Sequence, residues 1–135
     1  MCIRDRYYSE VVGNKKEKVK YFNYSEFDSP DVQGSGQLMD KELLEMLDDV
    51  RDKFDKPIHI NSGYRTPQHN EAVGGTENSS HLRGFAVDIS CDNSIDRFDL
   101  INCLLDVGFS RIGVAKTFIH ADIDPDKSNG VMWTY

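Results

Sequence analysis

Residues 79–90 read SSHLRGFAVDIS, with a histidine at 81, a glycine at 84 and an aspartate at 88 inside an apolar run. A strand buried on both faces has no use for that carboxylate, because an unpaired charge in the interior is costly. Successive side chains of a strand point to opposite faces. Phe85, Val87 and Ile89 therefore take one face, and Ala86, Asp88 and Ser90 the other. The stretch TFIHADID at 117–124 repeats the arrangement: Ile119, Ala121 and Ile123 face one way, and Phe118, His120, Asp122 and Asp124 the other. Each strand has an apolar face for the core and a face bearing acid or imidazole. If the two strands are neighbours, Asp88 and His120 converge, and His81, in the loop entering the first strand, can fold over to join them.

Working outward, residues 40–54 place Leu43, Leu47, Val50 and Phe54 at spacings of four and three, a helix laid on a core, with Asp40 as its N-cap. KPIHINSG alternates as a short strand, with Ile58 and Ile60 on one face and His59 and Asn61 on the other. Thr66-Pro67 opens a short helix, PQHNEAV, closed by Gly74 and Gly75. Ser94 is expected to cap a second long helix whose stripe is Ile95, Phe98, Ile101, Leu104 and Leu105, ended by Gly108. RIGVA is a further strand, and Asn129-Gly130 predicts a hairpin into VMWTY. The expected fold is α+β: a small, mainly antiparallel sheet with two main helices on one face and a metal site on the other.

With 135 residues, the chain has room for one domain with one core. Its net charge of −7 argues against nucleic acid as a partner. No apolar run approaches the roughly 20 residues of a membrane helix, so membrane insertion is not expected. Residues 1–20 fit the rest poorly. MCIRDR resembles translated sequencing adaptor and has charge without an apolar core, unlike a secretory signal, and NKKEKVK reads as a solvated charged run. They are expected to be poorly structured or artefactual, with the domain at 21–135. Cys2, Cys91 and Cys103 form no C-x-x-C pair and are expected to be reduced thiols.

Two imidazoles and one carboxylate suit an open zinc site with water in the fourth position. Taken singly, a histidine at a loop end also serves as a cap, and an aspartate on a polar strand face is also simply solvated. The convergence of three ligand groups on one face is what favours a metal.

The window Ser79-x-His81-x-x-Gly84-x-Ala86-x-Asp88 resembles the S-x-H-x-x-G-x-A-x-D signature of the zinc D-Ala-D-Ala carboxypeptidase family. INSGYRTPQHNEAVGG, FIHADID and the lead-in FNYSEFDSP resemble a branch found among phage and bacterial cell-wall proteins, so the likeness covers about Tyr21 to Tyr135. It implies a small α+β fold, shared with the hedgehog signalling domain, and one Zn2+ held by His81, Asp88 and His120. It implies that Gly84 permits the turn between the first two ligands and that Ala86 keeps the metal side uncrowded. Ser79 would orient His81 or touch substrate, and Arg65 would face the scissile carbonyl or a substrate carboxylate. Many relatives carry an acid three residues before the last histidine as general base. Here that position is Thr117, which cannot take a proton. Asp122 is the substitute candidate, with orientation of His120 as its other role.

The implied activity is zinc-dependent hydrolysis of peptidoglycan stem or cross-link peptides, of carboxypeptidase or endopeptidase (endolysin) type. The segment SEFDSPDVQGSG is expected to close the cleft and decide between them. The protein is expected to act as a monomer, either as a phage lysis or virion protein or as a bacterial protein at the cell wall. The rival is a zinc-containing cell-wall-binding or phage virion module without catalysis. A calcium site at Asp122, Asp124 and Asp126 is weaker, because His120 is a poor calcium ligand and DPDKSNG reads as a turn.

Overall fold

The structure, a computed structural model, describes residues 19–135. Cys2 and the expectations for residues 1–18 lie outside the described residues. Five strands form one sheet: β1 (Ile60–Ser62), β2 (Ala86–Ser90), β3 (Arg111–Val114), β4 (Phe118–Asp122) and β5 (Val131–Thr134), in the order β1-β2-β4-β3-β5. The β1–β2, β2–β4 and β3–β4 pairings are antiparallel. The β3–β5 pairing is parallel, which makes the sheet mixed.

That parallel pair corrects the hairpin expectation. Gly130 does turn the chain, at φ 70°, but β5 pairs with β3 and not with β4. Both edges of β4 are already taken, by β2 and β3. The only edge left on that side of the sheet is the outer edge of β3, and the 123–130 segment steps past the start of β3 to reach it. The amides of Gly130 and Val131 both donate to the Ser110 carbonyl as they enter.

Helix α1 (Lys41–Phe54) starts where expected, with the Asp40 carboxylate accepting from the Leu43 amide, and buries Leu43, Leu44, Leu47, Val50 and Phe54. The short α2 (Pro67–Ala72) is capped by Thr66. In α3 (Ser94–Val107) the cap is Asn93, not Ser94, and the Asn93 side chain accepts from the Asp96 amide. The expected stripe of α3 is also corrected. Leu100, Cys103 and Leu104 face the core, while Ile95 and Phe98 are 79% and 73% exposed. Apolar residues surround most of this helix, so their periodicity does not choose a face; packing against α1 and β4 does.

Both helices bury their apolar sides with Val87, Ile89, Ile112, Ile119 and Ala121 of the sheet in one core. The other sheet face is left to polar side chains. Register brings them together: Asp88 pairs with His120, and Ala86 with Asp122. In β1, Ile60 pairs with Ile89 but Ser62 pairs with Asp88, two residues against one. This β-bulge switches the strand from core-facing Ile60 to Ser62 on the polar face. No described helix is long and apolar enough to cross a membrane. Cys91 and Cys103 are buried free thiols.

Candidate metal centre

His81 sits in a tight helical turn, Ser80–Arg83, whose cap is Ser79; the Ser79 hydroxyl accepts from the His81 amide at 3.3 Å. Gly84 ends the turn at φ 75°, and a Cβ there would lie 2.5 Å from the Leu38 carbonyl oxygen. Only glycine satisfies both the conformation and the close approach. Nδ1 of the His81 ring lies 2.8 Å from the Gly63 carbonyl. A carbonyl only accepts, so Nδ1 carries the proton and Nε2 is left as the lone-pair nitrogen. That Nε2 points at Asp88 Oδ1, 3.4 Å away.

His120 is placed the opposite way round. Its Nδ1 lies 2.9 Å from Asp88 Oδ1, and its Nε2 lies 2.7 Å from Asp122 Oδ2. The two imidazoles meet edge to face with centroids 5.3 Å apart. One ligand atom each from His81, Asp88 and His120 lies within 4.8 Å of the others, the one such buried cluster among the described residues. Burial pushes the Asp88 carboxyl up, but the hydrogen bond and charge of His120 outweigh it and hold the group well below the usual carboxylate range. Burial pushes His120 down, and its hydrogen bonds to Asp122 and Asp88 more than reverse this.

This donor set fits zinc. Two nitrogens and a carboxylate oxygen face one point, the far nitrogen of each imidazole is held by an acceptor, and one side opens to a cleft. The cleft, of about 400 Å³, is lined by Arg65, Ser79, Lys127, Trp133 and Tyr135 among others. The guanidinium of Arg65 is held by Ser62 Oγ and Asn70 Oδ1, and its Nη2 lies 3.4 Å from Asp88 Oδ2.

Asp122 stands behind His120. It is 1% exposed, and Oδ1 accepts from Arg111 Nε at 2.7 Å and from the Asp124 amide at 3.2 Å. Both of its oxygens are engaged, which is the geometry of an orienting carboxylate. Asp124 accepts from Ser80 and Arg83, and Asp126 pairs with Arg83, so this acidic run is matched by cations and hydroxyl groups instead of gathering as a calcium site.

All six expected site residues, Arg65, Ser79, His81, Asp88, His120 and Asp122, line the one cleft. His59 is exposed and, like His69 and Thr117, is not part of the lining. The 25–36 segment contributes no lining residue either, contrary to expectation. It buttresses the 63–66 stretch from behind: the Tyr64 amide donates to the Phe27 carbonyl, and the Thr66 hydroxyl to Asp31. Residues at the site that the sequence did not point to include Ser62, Asn70, Arg111 and Trp133. Ser62 depends on the bulge, and Asn70 on a contact across α2. Arg111 and Trp133 follow from the β3–β4 and β3–β5 registers, which place Arg111 beside Asp122 and Trp133 beside Gly113.

The model of a family described as Peptidase M15 matches residues 20–122, a span that contains all six expected site residues. No curated protein matches the chain.

Proposed function

The chain belongs to the Peptidase M15 family, and from that premise we propose that it is a zinc peptidase hydrolysing peptidoglycan stem or cross-link peptides, with His81, Asp88 and His120 holding one Zn2+. The observation that carries this reading is the meeting of those three ligand atoms at the floor of an open cleft beside Arg65. When bound there, zinc supplies Lewis acidity and lowers the pKa of a water to about 7.

The chain's own residues supply the rest. Gly63 and Asp122 fix which nitrogen each imidazole presents. Arg65 offers a fixed donor to the scissile carbonyl or a substrate carboxylate. Ser79, at the cleft wall, offers a hydroxyl to the peptide. Asp122 orients His120, because its oxygens are already bonded to His120, Arg111 and the Asp124 amide.

A second reading, a zinc-containing cell-wall-binding or phage virion module without catalysis, is favoured by one observation. Asp88 and Asp122 are the only carboxylates among the described residues that line the cleft, and both are committed. The test is incubation of zinc-loaded protein with purified peptidoglycan, with and without chelator, followed by assay of new amino groups and mass analysis of products. The peptidase releases amines and the chelator stops it. Loss of single terminal residues marks a carboxypeptidase, and opened cross-links mark an endopeptidase. Stoichiometric zinc with wall binding but no new amines would establish the non-catalytic module.

A further inference from the structure

We propose that Asn70 is a positioning residue that aims Arg65 across the metal centre; the inference rests on the reading of Arg65 as the group that meets substrate. The guanidinium of Arg65 is held at two of its three nitrogens. Nε donates to Ser62 Oγ at 3.1 Å and Nη1 to Asn70 Oδ1 at 3.2 Å. Nη2 is the nitrogen directed at Asp88 Oδ2, 3.4 Å away. A planar fork pinned at two corners has one orientation left, which is the property that separates arginine from lysine at such a site.

Asn70 is built in firmly enough to act as the second pin. It is 4% exposed, and its Nδ2 donates to the Thr76 carbonyl at 2.8 Å. Arg65 can only donate and the Thr76 carbonyl can only accept, so the amide has a single orientation that satisfies both. The backbone closes on it as well, with the Gly75 amide donating to the Asn70 carbonyl at 2.8 Å. A Cβ on Gly75 would lie 2.0 Å from Asn70 Oδ1 and 3.0 Å from Arg65 Nη1. The cleft wall at 74–76, Asn70 and Arg65 therefore form one packed unit, and a shift of the wall tilts the guanidinium.

The experiment compares Asn70→Ala, Asn70→Asp, Arg65→Ala and the double variant Asn70→Ala/Arg65→Ala in the full chain. Zinc content and kcat/KM on a peptidoglycan peptide are measured for each, and exchange of the Arg65 Nε proton by NMR for wild type and the two Asn70 variants. Asn70→Ala is expected to keep about one zinc, to lose on the order of 10–100-fold in kcat/KM as misaim of a reacting group does, and to speed exchange of the Arg65 Nε proton. Asn70→Asp keeps an acceptor for Arg65 but sets a carboxylate oxygen against the Thr76 carbonyl in place of the donor, and should recover only part of the loss seen in Asn70→Ala. In the Arg65→Ala background, loss of Asn70 should add almost nothing, because residues acting through one another are non-additive. Full additivity, an Asp variant as slow as the Ala variant, or unchanged Nε exchange in Asn70→Ala would each overturn the proposal. If wild-type protein releases no amines at all, the peptidase reading has failed instead. The Nε exchange, which needs no turnover, then decides the role of Asn70.

Discussion

The Asp122 carboxylate holds the outer nitrogen of His120 at 2.7 Å, on the far side of the ring from Asp88. This leaves Nδ1 as the nitrogen that His120 would offer to a metal. Asn at position 122 keeps the shape but presents a neutral amide to the ring. Asp122→Asn is expected to weaken zinc binding by roughly 10–100-fold, the usual effect of losing a partner behind a metal-ligating histidine. Activity should return when free zinc is raised. Rate against free zinc for both proteins checks this. A rate that stays depressed at saturating zinc would instead make Asp122 the proton acceptor.

Removing a ligand has a different signature. His120→Ala and His81→Ala each leave two of three donors, and protein purified without added zinc should lose most of its metal, against about one zinc per wild-type chain. Metal analysis by mass spectrometry reads the difference. Stoichiometric zinc in either variant would show that the metal sits elsewhere.

How much of this was legible beforehand depends on which interactions each feature rests on. The polar faces of Asp88 and His120 could be read from alternation, because the strand period is fixed and the core takes Val87, Ile89, Ile119 and Ala121; their convergence also required the two strands to be neighbours, as β2 and β4 are. The caps at Asp40 and Thr66 were legible because capping is local. The core face of α3 was not, since Ile95 and Phe98 are as apolar as the buried Leu100 and Leu104, and only tertiary packing distinguishes them. Nor was Ser62 legible at the site, because a bulge breaks the alternation that would place it. Nor was Trp133, whose placement depends on β5 crossing to the edge of β3.

That edge pairing makes Gly113 a sensitive position. Gly113 lies between His120 on one side and Trp133 on the other, and a Cβ there would come within 2.7 Å of the Trp133 indole. The indole also lies against the His120 ring at a 50° tilt, with centroids 5.4 Å apart. Gly113→Ala must push the indole off this position. A loss of about 1–3 kcal/mol is expected, as for overpacking elsewhere. Trp133 is the only tryptophan in the chain, so its emission reports the displacement directly. Unchanged emission and an unchanged urea midpoint would mean that the edge strand adapts freely.

The conservative change Arg65→Lys should be severe for turnover and mild for everything else. Lysine keeps the charge but cannot engage Ser62, Asn70 and the cleft at once, as the three guanidinium nitrogens do. Zinc content and thermal midpoint should match wild type, while kcat falls on the order of 10²-fold, as when one transition-state donor is removed. Steady-state kinetics on a peptidoglycan peptide checks this, and wild-type rates in the lysine variant would move Arg65 out of the reaction.

The last expectation concerns pH and the turn that carries His81. Asp124 is 1% exposed and ties the end of β4 to that turn through the Ser80 hydroxyl at 2.6 Å and an ion pair with Arg83. Burial pushes its carboxyl up, but the Ser80 hydroxyl, the Asp126 amide and the Arg83 charge outweigh this and hold it below its ordinary value. A carboxyl with a lowered folded-state pKa binds fewer protons when folded than when unfolded. Its stabilisation is complete above the unfolded value of about 3.9 and disappears as pH falls through the lower folded value. Asp124→Asn should therefore cost about 1.5–3 kcal/mol at neutral pH, the range for hydrogen bonds to a charged group. The gap between variant and wild type should narrow at pH values below about 4. Urea unfolding of both proteins across that window measures it. A gap that stays constant down to the most acid point would assign the effect to packing of the Asp124 side chain, with its charge contributing nothing to the hold on the His81 turn.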